Sequence, residues 1–211
     1  MDQSSSRNRA VLLLGPTSSG KTPLGDLIAE RGLWGARCVH FDFGANLRRL
    51  VERDVPDELV SRADLDFLRD VLQSGALLED EHFPLAERIL RSFLRQSGAD
   101  AHTLVVLNGL PRHVGQAEAA GAIVGVVAVI HLRCSTEVIL ERIRSNVGGD
   151  RTRRVDDDEP SVRRKLALFR ERTAPLVDHY RASGARIETV DVTATTTPSD
   201  AWHVLNRRNS H

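Results

Sequence analysis

The sequence predicts an α/β fold: a five-stranded parallel sheet with helices packed on both faces. Two observations carry this. Five short strand candidates, at 10–14, 37–42, 103–108, 124–132 and 186–192, alternate with segments whose apolar residues repeat every three to four positions. Several of the runs are continuous in Val, Leu and Ile, as strands covered on both faces require. A length of 211 residues suits one domain with insertions.

Taken in order, the polar start from Met1 to Arg9 predicts a disordered tail over 1–9, with a single domain over 10–211. The first strand, ending Val11-Leu12-Leu13-Leu14, runs into Gly15-Pro16-Thr17-Ser18-Ser19-Gly20-Lys21-Thr22, which fits G-x-x-x-x-G-K-[ST]. Bare backbone at Gly15 and Gly20 lets such a loop curl so that its N–H groups, with Ser18 and Ser19, face phosphate oxygens. The following helix adds its positive end, Lys21 reaches the terminal phosphates, and the Thr22 hydroxyl is placed for Mg²⁺. This is the loop of the P-loop NTPase fold, and it predicts a bound nucleoside triphosphate.

Between the second and third strands lie about 60 residues with three short helices, more than one crossover needs. One opens at Ser61-Arg62-Ala63-Asp64, a capping-box pattern, and presents Leu65, Leu68, Val71 and Leu72 on one face. The next carries Leu85, Ile89, Phe93 and Leu94 and closes at Gly98. After the fourth strand, Ser135-Thr136 precedes a helix with Val138, Ile139 and Ile143. A long helix then presents Val162, Leu166, Phe169, Val177 and Tyr180 and ends near Gly184. Thr197 caps the last helix, with Pro198 in its first turn.

Composition excludes more than it identifies. Lys plus Arg is 29 and Asp plus Glu is 29, so no global field favours nucleic acid or a membrane surface. No apolar run approaches a membrane span, and the start lacks a signal-peptide core. The two cysteines, Cys38 and Cys134, read as buried thiols of a cytoplasmic protein, too few for a four-cysteine zinc site. The charged run Arg151-Thr152-Arg153-Arg154-Val155-Asp156-Asp157-Asp158-Glu159 adjoins Arg142, Arg144 and Lys165, and suits a short lid over about 144–160 that closes on a transferring phosphate.

With these segments in place, the chain resembles the adenylate kinase family, the P-loop nucleoside monophosphate kinases. Asn108-Gly109-Leu110-Pro111-Arg112, followed by Gln116-Ala117, resembles the family's D-G-F-P-R-x-x-x-Q-A. Arg154-Val155-Asp156-Asp157 resembles R-x-D-D, and Thr173 to Tyr180 resembles T-A-P-L-x-x-Y-Y. Phe43-Gly44-Ala45-Asn46-Leu47-Arg48 stands where the family has T-G-D-M-L-R. The resemblance implies an acceptor-binding insertion over about 43–98 and transfer of the γ-phosphoryl of ATP, with Mg²⁺, to a nucleoside monophosphate. AMP is the first acceptor to test, and the protein is expected to act as a monomer.

The resemblance also assigns roles. Arg48 and Arg112 clamp the acceptor phosphate, Gln116 reads its base, and Phe43, Leu78 and Gly109 line the same pocket. Arg142 lies against the adenine of ATP, while Arg154 and Lys165 join Lys21 in neutralising the transferred phosphoryl. Arg144, Arg151 or Arg153 replaces a lid arginine where Asn146 stands.

Four departures qualify these roles. Asn108 replaces an Asp that helps to hold hydrated Mg²⁺, so Asn108→Asp is expected to strengthen metal use if the amide only weakens that contact, or to repel the incoming phosphate and slow the reaction if Asn108 bonds an unusual acceptor. Phe43 replaces a Thr, Ala45 an Asp, and Lys165 an Arg. They leave open a P-loop kinase of a small non-nucleotide substrate, and an ATP-binding sensor with weak catalysis.

Overall fold

The computed structural model describes residues 7–145 and 159–207. The five strand candidates become strands β1 (Asn8–Leu14), β2 (Cys38–Asp42), β3 (Leu104–Asn108), β4 (Val124–Arg133) and β5 (Arg186–Asp191). They form one sheet in the order β2-β3-β1-β4-β5, parallel at every pairing. Strand β1 begins at Asn8, paired with Val124, two residues inside the segment read as a tail.

Successive side chains of a strand point to opposite faces, so a continuous apolar strand feeds two cores at once. Ala10, Leu12 and Leu14 join Phe41, Val105 and Leu107 on one face, under the helices that follow β2. Val11 and Leu13 join Leu104, Val106, Ala128 and Ile130 on the other. That second face is covered by α1 (Lys21–Arg31), through Leu24 and Ile28, and by the terminal helix, through Ala201 and Leu205.

The insertion after β2 holds α2 (Phe43–Arg53), α3 (Arg62–Ser74) and α4 (Phe83–Gln96), the last preceded by a 3₁₀ turn at Asp80–His82. Both halves of the expected capping box are present at Ser61 and Asp64, satisfying two backbone donors at the start of α3. Helix α5 (Val114–Ala120) follows β3, and α6 (Thr136–Ser145) follows β4.

The long helix expected to end near Gly184 is broken. It is α7 (Glu159–Leu168), a π-helical turn at Phe169–Thr173, and α8 (Leu176–Ala182). Pro175 has no N–H and its ring crowds the preceding turn, so the regular ladder cannot pass through it. The Ala174 N–H reaches the Phe169 carbonyl at 2.8 Å instead, one residue further back than an α-helix allows. Helix α9 (Pro198–Arg207) closes the chain, with Thr197 and Asp200 bonded to each other as a cap.

Every strand of a parallel sheet ends at the same edge, so the loops after β1, β2, β3, β4 and β5 converge there. Ligands of open α/β sheets bind in the crevice outside that carboxyl edge. Among the described residues, no helix is long and apolar enough to cross a membrane.

Candidate active site

The loop Gly15–Thr22 leaves β1 at the centre of this edge and enters α1. Gly20 caps α1 with φ of 94°, a left-handed conformation that a side chain strains, and Ser18 also has positive φ at 61°. Gly15 is required for space. A Cβ there would lie 2.6 Å from Ser19 Oγ and 2.8 Å from the Leu132 carbonyl of β4. The Lys21 ammonium folds back over the loop and donates to the carbonyls of Gly15 at 2.8 Å and Pro16 at 2.7 Å. Ser19 Oγ is buried and has no hydrogen-bond partner among the described residues, so a polar group at the heart of the loop is left for a ligand.

Three side chains meet beside the loop. Thr22 Oγ1 donates to Asp42 Oδ2 at 2.6 Å. Asn108 Nδ2 donates to the same Asp42 oxygen at 2.9 Å and to Thr22 Oγ1 at 3.1 Å. Strand register explains the meeting, since Asp42 and Asn108 are paired residues at the ends of β2 and β3. Sequence reasoning missed Asp42, which lies one position before the segment Phe43–Arg48. The available signal was an acid ending a strand while positions 45 and 108 both lack one. Asn108→Asp would therefore set a second carboxylate against the one already at position 42.

The segment after β3 continues from the same point. Gly109 approaches the start of α2, where a Cβ would lie 3.6 Å from that of Phe43. The Leu110–Pro111 peptide bond is cis. Burial pushes the Arg112 guanidinium below its ordinary pKa, and no carboxylate among the described residues pairs with it. A partly desolvated cation with no described carboxylate beside it is set up to take an anionic ligand. Arg48, on α2, is exposed and makes no ion pair with a described residue.

Gln116 is buried and committed to the backbone: its Oε1 accepts from the Arg112 N–H at 2.8 Å and its Nε2 donates to the Leu78 carbonyl at 2.7 Å. One lone pair and one N–H remain for a base. His113 is buried, accepts from the Gln116 N–H at the start of α5, and reaches the Leu78 carbonyl at 3.3 Å. Leu78 is thus tied to the Arg112–Gln116 segment by two side chains.

Arg142 is 4% exposed and rivets two loops together. Its Nε donates to the Ser18 carbonyl at 2.9 Å, and its Nη1 to those of Thr193 and Thr196, each at 2.9 Å. The flat cation sits against the phosphate loop, where a Cβ on Gly20 would lie 3.2 Å from Nη2. Lys165, on α7, brings its stem to the end of α3, its Cε being 3.5 Å from a Cβ built at Gly75. Arg154, together with Asn146, Arg151 and Arg153, lies outside the described residues, as does the R-x-D-D segment. Cys38 and Cys134 are free thiols, and burial raises each to a pKa of about 11.

Curated relatives match most of this chain. The chain is 30% identical over 203 residues to an adenylate kinase of Deinococcus radiodurans, covering 88% of this chain and 90% of that protein. It is 32% identical over 189 residues to an adenylate kinase of Stenotrophomonas maltophilia, covering 85% and 90%. An adenylate kinase of Rhodopirellula baltica is 29% identical over 180 residues, covering 82% of each. No family model matches the chain.

Proposed function

The chain belongs to the adenylate kinase family, and on that premise we propose that it transfers the γ-phosphoryl of ATP to a nucleoside monophosphate, with AMP the first acceptor to test. The observation that supports this best is the Arg112 guanidinium, half-buried and without a carboxylate partner among the described residues, four residues beyond the Asn108 that bonds Thr22 of the phosphate loop. A second anion site next to the first is what a phosphorylated acceptor needs.

In this reading the backbone of Gly15–Thr22 holds the donor phosphates, and Lys21 leaves its two carbonyls to meet the terminal phosphate. Arg112 and Arg48 hold the acceptor phosphate in line, while Gly109, Phe43, Leu78 and the free half of the Gln116 amide border its base. Arg142 keeps the phosphate loop and the Thr193–Thr196 loop in register and presents a planar face to adenine. Arg154 adds positive charge from the lid segment 144–160 and Lys165 from α7 beyond it, and the insertion 43–98 carries the acceptor side. Catalysis is positioning and charge neutralisation, with no covalent enzyme intermediate.

Mg²⁺ suits the residues present: a hydroxyl and a carboxylate oxygen converge at Thr22 and Asp42, and this hard cation needs few protein ligands beside phosphate. When bound, it neutralises charge on the phosphate oxygens. The proposal includes action as a monomer in the cytoplasm, with neither nucleic acid nor membrane as partner.

The test is Mg-ATP incubated with a panel of nucleoside monophosphates and small alcohols and acids, following diphosphate products. Nucleoside diphosphate formation is expected. A second reading, a kinase of a small non-nucleotide substrate, is favoured by buried Phe43 in place of a hydrogen-bonding residue. It replaces the first if only a non-nucleotide accepts the phosphoryl. ATP bound without turnover would leave the sensor.

A further inference from the structure

We propose that Asp42 is the metal-positioning carboxylate of this chain, the charge having moved one strand across the sheet from position 108 to position 42. The inference rests on the kinase reading above and deepens it.

The argument starts from the two oxygens of Asp42. Oδ1 accepts from the Ala45 N–H at 2.8 Å and caps α2. A cap needs only one oxygen, and Ser, Thr or Asn supplies it equally well. Oδ2 is turned the other way and takes two further donors, the Thr22 hydroxyl at 2.6 Å and the Asn108 amide at 2.9 Å. Neither of these contacts serves the helix. They aim a carboxylate oxygen at the hydroxyl of the phosphate loop from which a phosphate-bound divalent cation is held.

Asn108 fits the same account as its counterpart. A carboxylate at 108 facing Asp42 would repel it, whereas an amide donates to it and fixes its direction. The two positions are a registered pair on adjacent strands, so either can carry the single negative charge while the other donates to it. A hard cation held mostly by phosphate and water takes one or two carboxylates, often through water, and charge within one residue's width of the site is what it requires. Losing the acid at 108 therefore leaves the metal site intact and moves its carboxylate to β2.

Mn²⁺ serves as the probe, because its binding to the protein–ATP complex is read by electron paramagnetic resonance without turnover. Three proteins are compared: the natural chain, Asp42→Asn, and the exchange Asp42→Asn with Asn108→Asp. Asparagine keeps the cap of α2, so the folded state is retained and is checked by thermal melting. Asp42→Asn is expected to weaken Mn²⁺ binding about 10-fold or more, with metal-free ATP affinity within about twofold, and the exchange to recover most of the loss. Unchanged Mn²⁺ affinity in Asp42→Asn overturns the inference, even if turnover falls, and would assign Asp42 to the acceptor side. A loss that the exchange does not recover also overturns it. Failure of the natural chain to bind ATP at all instead overturns the kinase reading, so the two failures are told apart.

Discussion

Asn108→Asp, taken alone, converts a hydrogen bond into a collision of like charges, and the cost follows from the structure. Asn108 Nδ2 stands 2.9 Å from Asp42 Oδ2 and 3.1 Å from Thr22 Oγ1. Two full negative charges about 3 Å apart at an effective dielectric near 20 repel by roughly 5 kcal/mol. The pair escapes part of this by keeping one proton. Holding a proton costs about 1.4 kcal/mol per pH unit above the ordinary Asp value, or about 4 kcal/mol at pH 7. Asp42 is only half-buried, and solvent screening brings the net cost to about 2–3 kcal/mol at pH 7 and about 1 kcal/mol at pH 5.

The sign is fixed by the direction of the shift. A carboxyl whose pKa is raised in the folded state binds more protons folded than unfolded. The variant thus keeps its stability near pH 4 and loses it progressively as pH rises through the raised value. For a domain of this size the deficit corresponds to roughly 5–10 °C in Tm at pH 7 and a few degrees at pH 5. The assay is differential scanning calorimetry of the metal-free variant and natural protein across pH 5 to 8. A Tm difference that is absent, or constant across that range, would refute the contact between positions 42 and 108.

Lys21→Ala is expected to reduce phosphoryl transfer by at least about 10³-fold and to lower Tm only by a few degrees, since the part-buried carbonyls of Gly15 and Pro16 lose a charged donor; near-normal turnover in steady-state assays would remove the loop as the donor site. Arg142→Ala is expected to lower stability by about 3 kcal/mol even without nucleotide, because at least three carbonyls lose a buried charged donor. An arginine that served only to stack on adenine would leave the nucleotide-free melting curve unchanged. Cys38 and Cys134, with pKa values of about 11, are expected to react with a disulfide reagent at pH 8 about 100-fold more slowly than a free thiol of pKa 9.0, and to reach the normal rate on unfolding.

What the sequence determined by itself was whatever depends on neighbours along the chain. The five strands, the phosphate loop and the Ser61–Asp64 cap were legible because periodicity and capping are short-range properties, and the ordered motifs were enough to identify the family. A helix through residue 175 was not, since apolar spacing runs on undisturbed across Phe169 and Val177 while one missing N–H at Pro175 breaks the ladder. Only the tertiary structure decided who meets whom. Asp42 and Asn108 are 66 residues apart in sequence, yet the parallel register of β2 and β3 sets them side by side at the loop after β1. Gln116 looked like a base reader and Arg142 an adenine contact, but folding had also committed their donors to carbonyls at Leu78, Ser18 and Thr193. Hydrogen-bond partners are set by strand order and register, which bring distant segments to one edge, and no local pattern encodes which residues arrive there together.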